Sequence, residues 1–446
     1  MTIEEPLPRT VAGRSLLREV ARRTAWITAG TVVGRLMPLA GTVLLSRTLG
    51  LQDYATVGTI VAWGAIASSV TTAGTAAVTT QALAGVADSR AAASSIIRKS
   101  MIAAILAVAL LAAALCVSGP RLMEAILPGV VPAALAGIAL VVGVAASFFQ
   151  LFQGILNGLH RPRSNALLTA GCGVLQGIAL ALGAYLGSVE NAVVLYALAL
   201  GVATLAGGGG VLLQLPPQSA TPGAIPASPV SWQGFMKRAL IVTVGTGLVA
   251  PVTFFCASLL VDEVDGRRQL GAFFLLEQLH GIMAYLPMLI TQSSLPVLAA
   301  ELSRKGSNGA ATYMRKVLMI KAAAALALAA VGYLLTDIVL GVYGDDFASF
   351  DRAYHFMLLN AVLMVPLASV GGFVIARGAF LTGCAMNLLW AVVFVALSLA
   401  AQDDGCAGIQ LARLMATGVL CVFSIGYMAH YLRKEPATTL HAPGAS

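Results

Sequence analysis

The sequence predicts an all-α polytopic membrane protein of about twelve transmembrane helices, in two six-helix lobes related by a parallel repeat. Three observations predict it. The 446 residues are 58% hydrophobic and 10% charged, with a mean hydropathy of +0.87, far from the composition of soluble domains. Apolar stretches of about 20 residues recur from end to end, each long enough to cross ~30 Å of hydrocarbon. Backbone groups in lipid must be satisfied within their own segment, so the runs are helices, and the alternation of a β-barrel strand is absent. Third, the chain repeats itself. Arg22-Arg23 leads into a run with Pro38 in its middle, and Lys237-Arg238 into one with Pro251 in its middle. Arg98-Lys99 opens a run ending near Pro128-Gly129, and Arg315-Lys316 one ending near Tyr343-Gly344. The offset stays between 213 and 217 positions. Six helices is an even number, so both halves enter the membrane from the same side and their pseudo-two-fold axis lies along its normal. Such a duplication is a transporter signature, with the substrate site expected between the copies.

The elements follow in order. Residues 1–24 carry Arg9, Arg14, Arg18, Arg22 and Arg23 but no short apolar core with a cleavage site, and read as a basic cytoplasmic tail. Spans are expected at 25–46, 54–83, 100–119, 132–157, 165–187 and 191–214, forming the first lobe (25–214). Residues 215–236, with Pro216, Pro217, Pro222, Pro226 and Pro229, read as a semi-extended cytoplasmic linker. The second lobe (237–432) holds spans at 238–261, 270–298, 317–342, 353–376, 379–401 and 407–432, before a cytoplasmic tail at 433–446.

Charge sets the orientation. With the N-terminus inside, twenty Lys and Arg fall on the cytoplasmic side, Lys321 among them. Six fall outside (Arg47, Arg121, Arg267, Arg268, Arg352, Arg413), and Arg35 alone lies within a span. Asp262, Glu263, Asp265, Asp345, Asp346, Asp351, Asp403 and Asp404 all fall outside. Both termini are therefore expected in the cytoplasm, and the net charge of +8 reflects topology rather than a nucleic-acid partner. The six cysteines show no CxxC or Cys/His metal spacing and read as small packing residues.

Three stretches carry a family resemblance. Arg47-Thr-Leu-Gly50-Leu-Gln-Asp53-Tyr54 resembles the R-x-L-G-x-x-D/E-Y turn of polysaccharide flippases. Gly271 to Arg304, with Pro287 and Pro296, resembles that family's eighth helix. Val342-Tyr-Gly-Asp-Asp-Phe-Ala348 resembles its L-[FY]-G-x-x-[FY]-A turn. Over residues 20–432 the chain resembles the Wzx-like O-antigen and exopolysaccharide repeat-unit flippases of the multidrug/oligosaccharidyl-lipid/polysaccharide exporter superfamily. The resemblance implies a V-shaped fold in the bacterial inner membrane, with a central cavity lined mainly by helices 1, 2, 7 and 8. The implied cargo is a polyprenyl-diphosphate-linked oligosaccharide, flipped to the periplasmic leaflet by alternating access. The polysaccharide polymerase and chain-length machinery are the implied protein partners.

Arg35 is the sharpest candidate for binding. It lies about nine residues into the first span, roughly 13 Å deep at 1.5 Å per residue, where an unpaired arginine is costly. A guanidinium matches phosphate oxygens bidentately, so Arg35 reads as an anchor for a diphosphate. The competing readings are a structural ion pair, or a cap on carbonyls freed by Pro38. Glu277 is the only carboxylate well inside a span, and His280, three positions on, shares its helix face, while Gln278 is expected to point elsewhere. Glu277 and His280 read as a proton-titrating pair. Alternatively, Glu277 is the counter-charge of Arg35 or structurally paired, with His280 hydrogen-bonded in the core. In the fourth span Ser147, Gln150, Gln153 and Asn157 form one polar stripe, read either as a sugar-accommodating wall or as interhelical glue. Pro38, Pro251, Pro287 and Pro366 lie inside spans, the first three being hinge candidates. Gly30-x-x-x-Gly34 reads as a close-packing motif.

No Walker sequence exists, Gly207–Gly210 lacks the following Lys-Ser/Thr, and no cofactor or metal motif is found. Energy must then come from an ion, the membrane potential, the substrate gradient or a partner. Two alternatives stand beside flipping. A cation-coupled multidrug antiporter of the same superfamily favours acidic cavities, whereas the deep charge of the first half is a cation. A membrane-embedded polysaccharide polymerase or ligase needs a large outside loop, and the loops here are about 3–10 residues. The protein is expected not to be an enzyme.

Overall fold

In the computed structural model the described residues are 9–84, 86, 89–126, 129–215, 231–285, 290, 313–376 and 379–434. Among them every regular element is helical. The helices are α1 (Arg9–Thr71), α2 (Ala73–Ala84), α3 (Arg90–Ile126), α4 (Ala133–Gly158), α5 (Pro162–Tyr185) and α6 (Val189–Leu213). There follow α7 (Trp232–Gly247), α8 (Val249–Ser258), α9 (Gly266–Met283), α10 (Tyr313–Leu334) and α11 (Thr336–Tyr343). The last are α12 (Asp345–Ala348), α13 (Asp351–Ala376), α14 (Phe380–Ala401) and α15 (Gly405–Lys434).

Nine runs among the described residues are long and apolar enough to cross a membrane. Two of them, Ala25–Thr71 with 47 residues and Leu381–His430 with 50, have the length for two crossings each. The eighth expected span begins as α9; residues 286–289 and 291–298 of its continuation, with Pro287, Gln292 and Pro296, lie outside the described residues. So do residues 216–230 of the expected linker and 435–446 of the expected C-terminal tail. The basic N-terminal stretch differs from the expected tail, being helical from Arg9 and running on into the first span.

The first two spans form one helical trace whose backbone departs from helical geometry at Gly50 (φ 78, ψ 172), a conformation that suits glycine alone. Close contact between α1 and α5 depends on glycines from both helices. A Cβ at Gly30 would meet the Ala166 carbonyl oxygen at 2.5 Å, and one at Gly173 would meet that of Gly34 at 2.3 Å. In lipid, where apolar surface gives helices no reason to associate, such backbone approach supplies the packing.

The two matched prolines behave differently. Pro38 sits in an unbroken helix, whereas the hydrogen-bond ladder is interrupted between α7 and α8 at Leu248, just before Pro251, with Leu248 itself still helical (φ −71, ψ −27). Pro251 has no N–H for the carbonyl of Gly247, four residues back. That carbonyl accepts a hydrogen bond from Ser69 Oγ at 3.4 Å, and Asn387 Nδ2 donates to the Gly245 carbonyl. The freed backbone is thus satisfied by neighbouring helices, as a break inside a membrane requires.

The three family-like stretches meet at one end of the bundle. Arg47 Nη2 donates to the Gly341 carbonyl at 3.0 Å, and Ser46 Oγ to that of Tyr343 at 3.2 Å. A Cβ at Gly271 would lie 2.0 Å from the Leu51 carbonyl oxygen, so α9 presses directly on the first turn. Leu51, Tyr54, Tyr343 and Phe347 are buried there in one apolar cluster. Below it the rings of Trp63, Phe254, Phe274 and Phe273 run from α1 through α8 to α9, with successive centroids 5.7, 6.4 and 6.0 Å apart.

Candidate functional site: a two-chamber cavity beside α1

Beneath this aromatic roof lies a cavity in two parts. The larger chamber, about 810 Å³, is walled by α1, α4 and α5 and by Gln278 and Tyr285. Its lining reaches Ile27, Asn157 and Asn165, next to Trp26, over whose ring the Arg163 guanidinium lies at 5.2 Å. The second chamber, about 540 Å³, continues toward Tyr54, Phe273 and Phe274. Arg35, Pro38, Gln176, Tyr196 and Gln278 line both, so they form the neck between them.

Arg35 reaches this neck from α1. Its guanidinium lies 5.7 Å from the centroid of the Tyr285 ring, a cation–π arrangement, and no hydrogen bond to the described residues occupies its N–H donors. It packs against Gly281 of α9, where a Cβ would stand 3.0 Å from Nη1. Among the described residues no carboxylate pairs with Arg35.

Of the alternatives for Glu277, the counter-charge of Arg35 is corrected and a structural pairing is found. Glu277 Oε1 accepts from Arg413 Nη1 of α15. Arg413, sorted by sequence to the outside, is 7% exposed inside α15, and both members of the pair line the second chamber. Lys321, sorted to the cytoplasmic side, is likewise buried, with Nζ donating to Ser369 Oγ at 3.1 Å.

His280 lines neither chamber. It is buried against α13, within 3.2 Å of Asn360 Nδ2. Residues three apart on a helix differ by about 60° in direction, and between tightly packed neighbours that turns Glu277 to α15 and His280 to α13. Gln278, expected to point elsewhere, lines both chambers and accepts from Thr42 Oγ1 at 2.8 Å.

The stripe on α4 divides. Ser147 is buried, donating to the Gly143 carbonyl and accepting from Thr71. Gln150, Gln153 and Asn157 line the larger chamber. Each also makes an interhelical hydrogen bond. Thr72 Oγ1 donates to Gln150, Gln153 Nε2 donates to Thr169 Oγ1 at 2.9 Å, and Asn165 Nδ2 donates to Asn157 Oδ1 at 2.9 Å. Wall and glue are the same residues. Gln176, Tyr196, Thr169, Asn165 and Tyr285 complete the polar lining; isolated polar residues in apolar runs gave no periodic signal. Of the hinge candidates, Pro38 lines the neck, Pro251 follows the break at Leu248, and Pro287 lies outside the described residues.

A family model described as "Polysaccharide biosynthesis protein" matches residues 20–302, well over half the chain. The chain belongs to that family. Two curated relatives, the EPS I polysaccharide export inner membrane protein EpsE of Ralstonia solanacearum and of Ralstonia nicotianae, are 24% identical over 293 and 291 residues. These matches cover 64% of this family member and 65% of each relative, just under two thirds of the relatives' length. Among solved structures, an inward-facing multidrug resistance MATE family transporter of the MOP superfamily superposes with a TM-score of 0.73 at 14% identity, covering 90% of this chain and 94% of that one. The outward-facing conformation of such a transporter gives 0.63 at 16% identity, covering 93% and 95%. A MOP superfamily transporter from Pyrococcus furiosus, described as having a binding pocket of reverse polarity, gives 0.68 at 14% identity, again covering 93% and 95%. At these identities the likeness is one of fold. This polysaccharide biosynthesis protein is thus an all-α, multi-pass membrane protein with the transporter fold of the MOP superfamily.

Proposed function

We propose that the chain flips a polyprenyl-diphosphate-linked oligosaccharide repeat unit across the bacterial inner membrane by alternating access, as a step of surface polysaccharide biosynthesis. The observation that carries this reading is Arg35, an arginine without a carboxylate partner among the described residues, at the neck of a chamber walled by amide side chains. A guanidinium suits a diphosphate, and uncharged amides suit the hydroxyls of sugars. Family membership and the export role in the relatives' name support the cargo class and the inner membrane. The lobes are proposed as residues 25–214 and 237–432, joined by a cytoplasmic linker, with both termini cytoplasmic. On that orientation the larger chamber faces the cytoplasm, and the packed turns around Arg47 and Tyr343 close the periplasmic end. The higher TM-score against the inward-facing transporter fits this state. The names of the homologues favour transport over an enzyme.

The MATE likeness favours a second reading, cation-coupled drug efflux. An uncompensated cation at the neck opposes it, because cationic drugs would be repelled. Arg35→Ala is expected to abolish surface polysaccharide at unchanged membrane abundance, with the lipid-linked unit accumulating. Full complementation by this variant would sink the anchor, and ethidium efflux by the wild type would favour the second reading.

A further inference from the structure

The second chamber holds two arginines and one carboxylate: Arg35 at the neck, and Arg413 deeper in the wall against Glu277. Their exposures differ in an informative way. The Arg413 side chain is 9% exposed and that of Glu277 is 24%, so the acid is the more accessible member of a pair that lines the chamber together. Thr253 lines the same chamber, and its buried Oγ1 has no hydrogen-bond partner among the described residues. We propose that Arg413 is a second binding site for the diphosphate class of anion, masked by Glu277, which acts as a built-in competitor that the cargo displaces. The proposal rests on the reading of Arg35 as a diphosphate anchor.

Carboxylate and phosphate oxygens are the same kind of acceptor for a guanidinium. A group tethered to the chain competes at high effective concentration, so the deep site is weak for any free anion. An anion already held at the neck is itself concentrated beside Arg413 and meets the competitor on equal terms. The Thr253 hydroxyl supplies an unused donor for the arriving oxygen. A deep site of deliberately low affinity lets the cargo leave, since conduction needs binding strong enough to enter and weak enough to depart.

Titration of inorganic pyrophosphate into the purified full-length protein in lipid nanodiscs, followed calorimetrically, tests this. The wild type should bind one pyrophosphate, at Arg35. E277Q should bind either a second one or a single one at least tenfold tighter, and E277Q/R413Q should lose that gain. E277Q/R35Q should recover the binding that R35Q alone lacks. A folded E277Q with wild-type stoichiometry and affinity overturns the proposal. If E277Q does not fold, Glu277→Asp reads the same quantity: its shorter carboxylate should tighten pyrophosphate binding at least threefold, and unchanged affinity there is equally fatal. An R35Q variant that binds like the wild type would instead remove the anchor reading beneath it.

Discussion

Gly281 offers a way to move the Arg35 guanidinium without touching its charge. A Cβ built at this position lies 3.0 Å from Arg35 Nη1 and, among the described residues outside its own helix, meets no other heavy atom within 4 Å. Alanine asks the flexible tip of Arg35 to give by a few tenths of an ångström, and should be nearly neutral. Leucine adds three more carbons and should force the guanidinium aside by about 1 Å or more, a displacement that in alignment-dependent sites costs on the order of 10²-fold. Loss of one hydrogen bond to a charged group, about 1.5–3 kcal/mol, corresponds to roughly 10- to 150-fold in affinity. Gly281→Leu should therefore weaken pyrophosphate binding by about one to two orders of magnitude, with valine between alanine and leucine. Stability should change little, because Gly281 lies in the last turn of α9, where replacing glycine gains less than the ~1 kcal/mol of a helix interior. Calorimetric binding and thermal unfolding of the same samples separate the two effects. Wild-type affinity in folded Gly281→Leu would refute the placement of Arg35 as the anion donor.

Three further outcomes are expected. Arg413→Gln leaves Glu277 half-buried without its counter-charge, which should destabilise the protein by a few kcal/mol, toward the lower end of the ~3–5 seen when one partner of a buried pair is removed. The double variant with Glu277→Gln should recover much of the loss, and equal melting of the two would contradict the pairing. Gly173→Leu should abolish monodisperse protein because its side chain would start 2.3 Å from the Gly34 carbonyl oxygen, whereas Gly171→Leu, in open space, should behave like the wild type. Arg47→Ala removes a tie between the first turn and the Gly341 carbonyl, so amide exchange across 340–347 should accelerate; unchanged protection would count against that closure.

The fold was legible because membrane physics leaves few choices. Long apolar runs must be helices, and turn residues must separate them. The breaks were less legible. Gly50 could be read as a turn residue, but nothing local distinguishes the unbroken helix at Pro38 from the separated helices before Pro251. The difference is tertiary: Ser69 and Asn387, both remote in sequence, supply the donors that a broken span needs.

The site was legible only where one residue breaks its own local pattern. Arg35 and the α4 amides stand out against apolar neighbours, and they do meet in one chamber. Pairing was not legible, because a buried ion pair across 136 positions leaves no periodic trace. This is why Arg413 sorts with the outside charges although it lies within the last expected span, and why the structural pairing of Glu277, one of the alternatives the sequence leaves open, has no partner named in it. The resulting asymmetry has a physical consequence for the cavity. Near the neck, positive charge stands without an acid among the described residues; deeper in, an equal positive charge is cancelled by Glu277. On the reading proposed above, an anion moving from the first chamber to the second would pass from a site that attracts it to one that must first be vacated. Capture and release would then divide between the two arginines, because Arg413 already carries a carboxylate and Arg35 has none among the described residues.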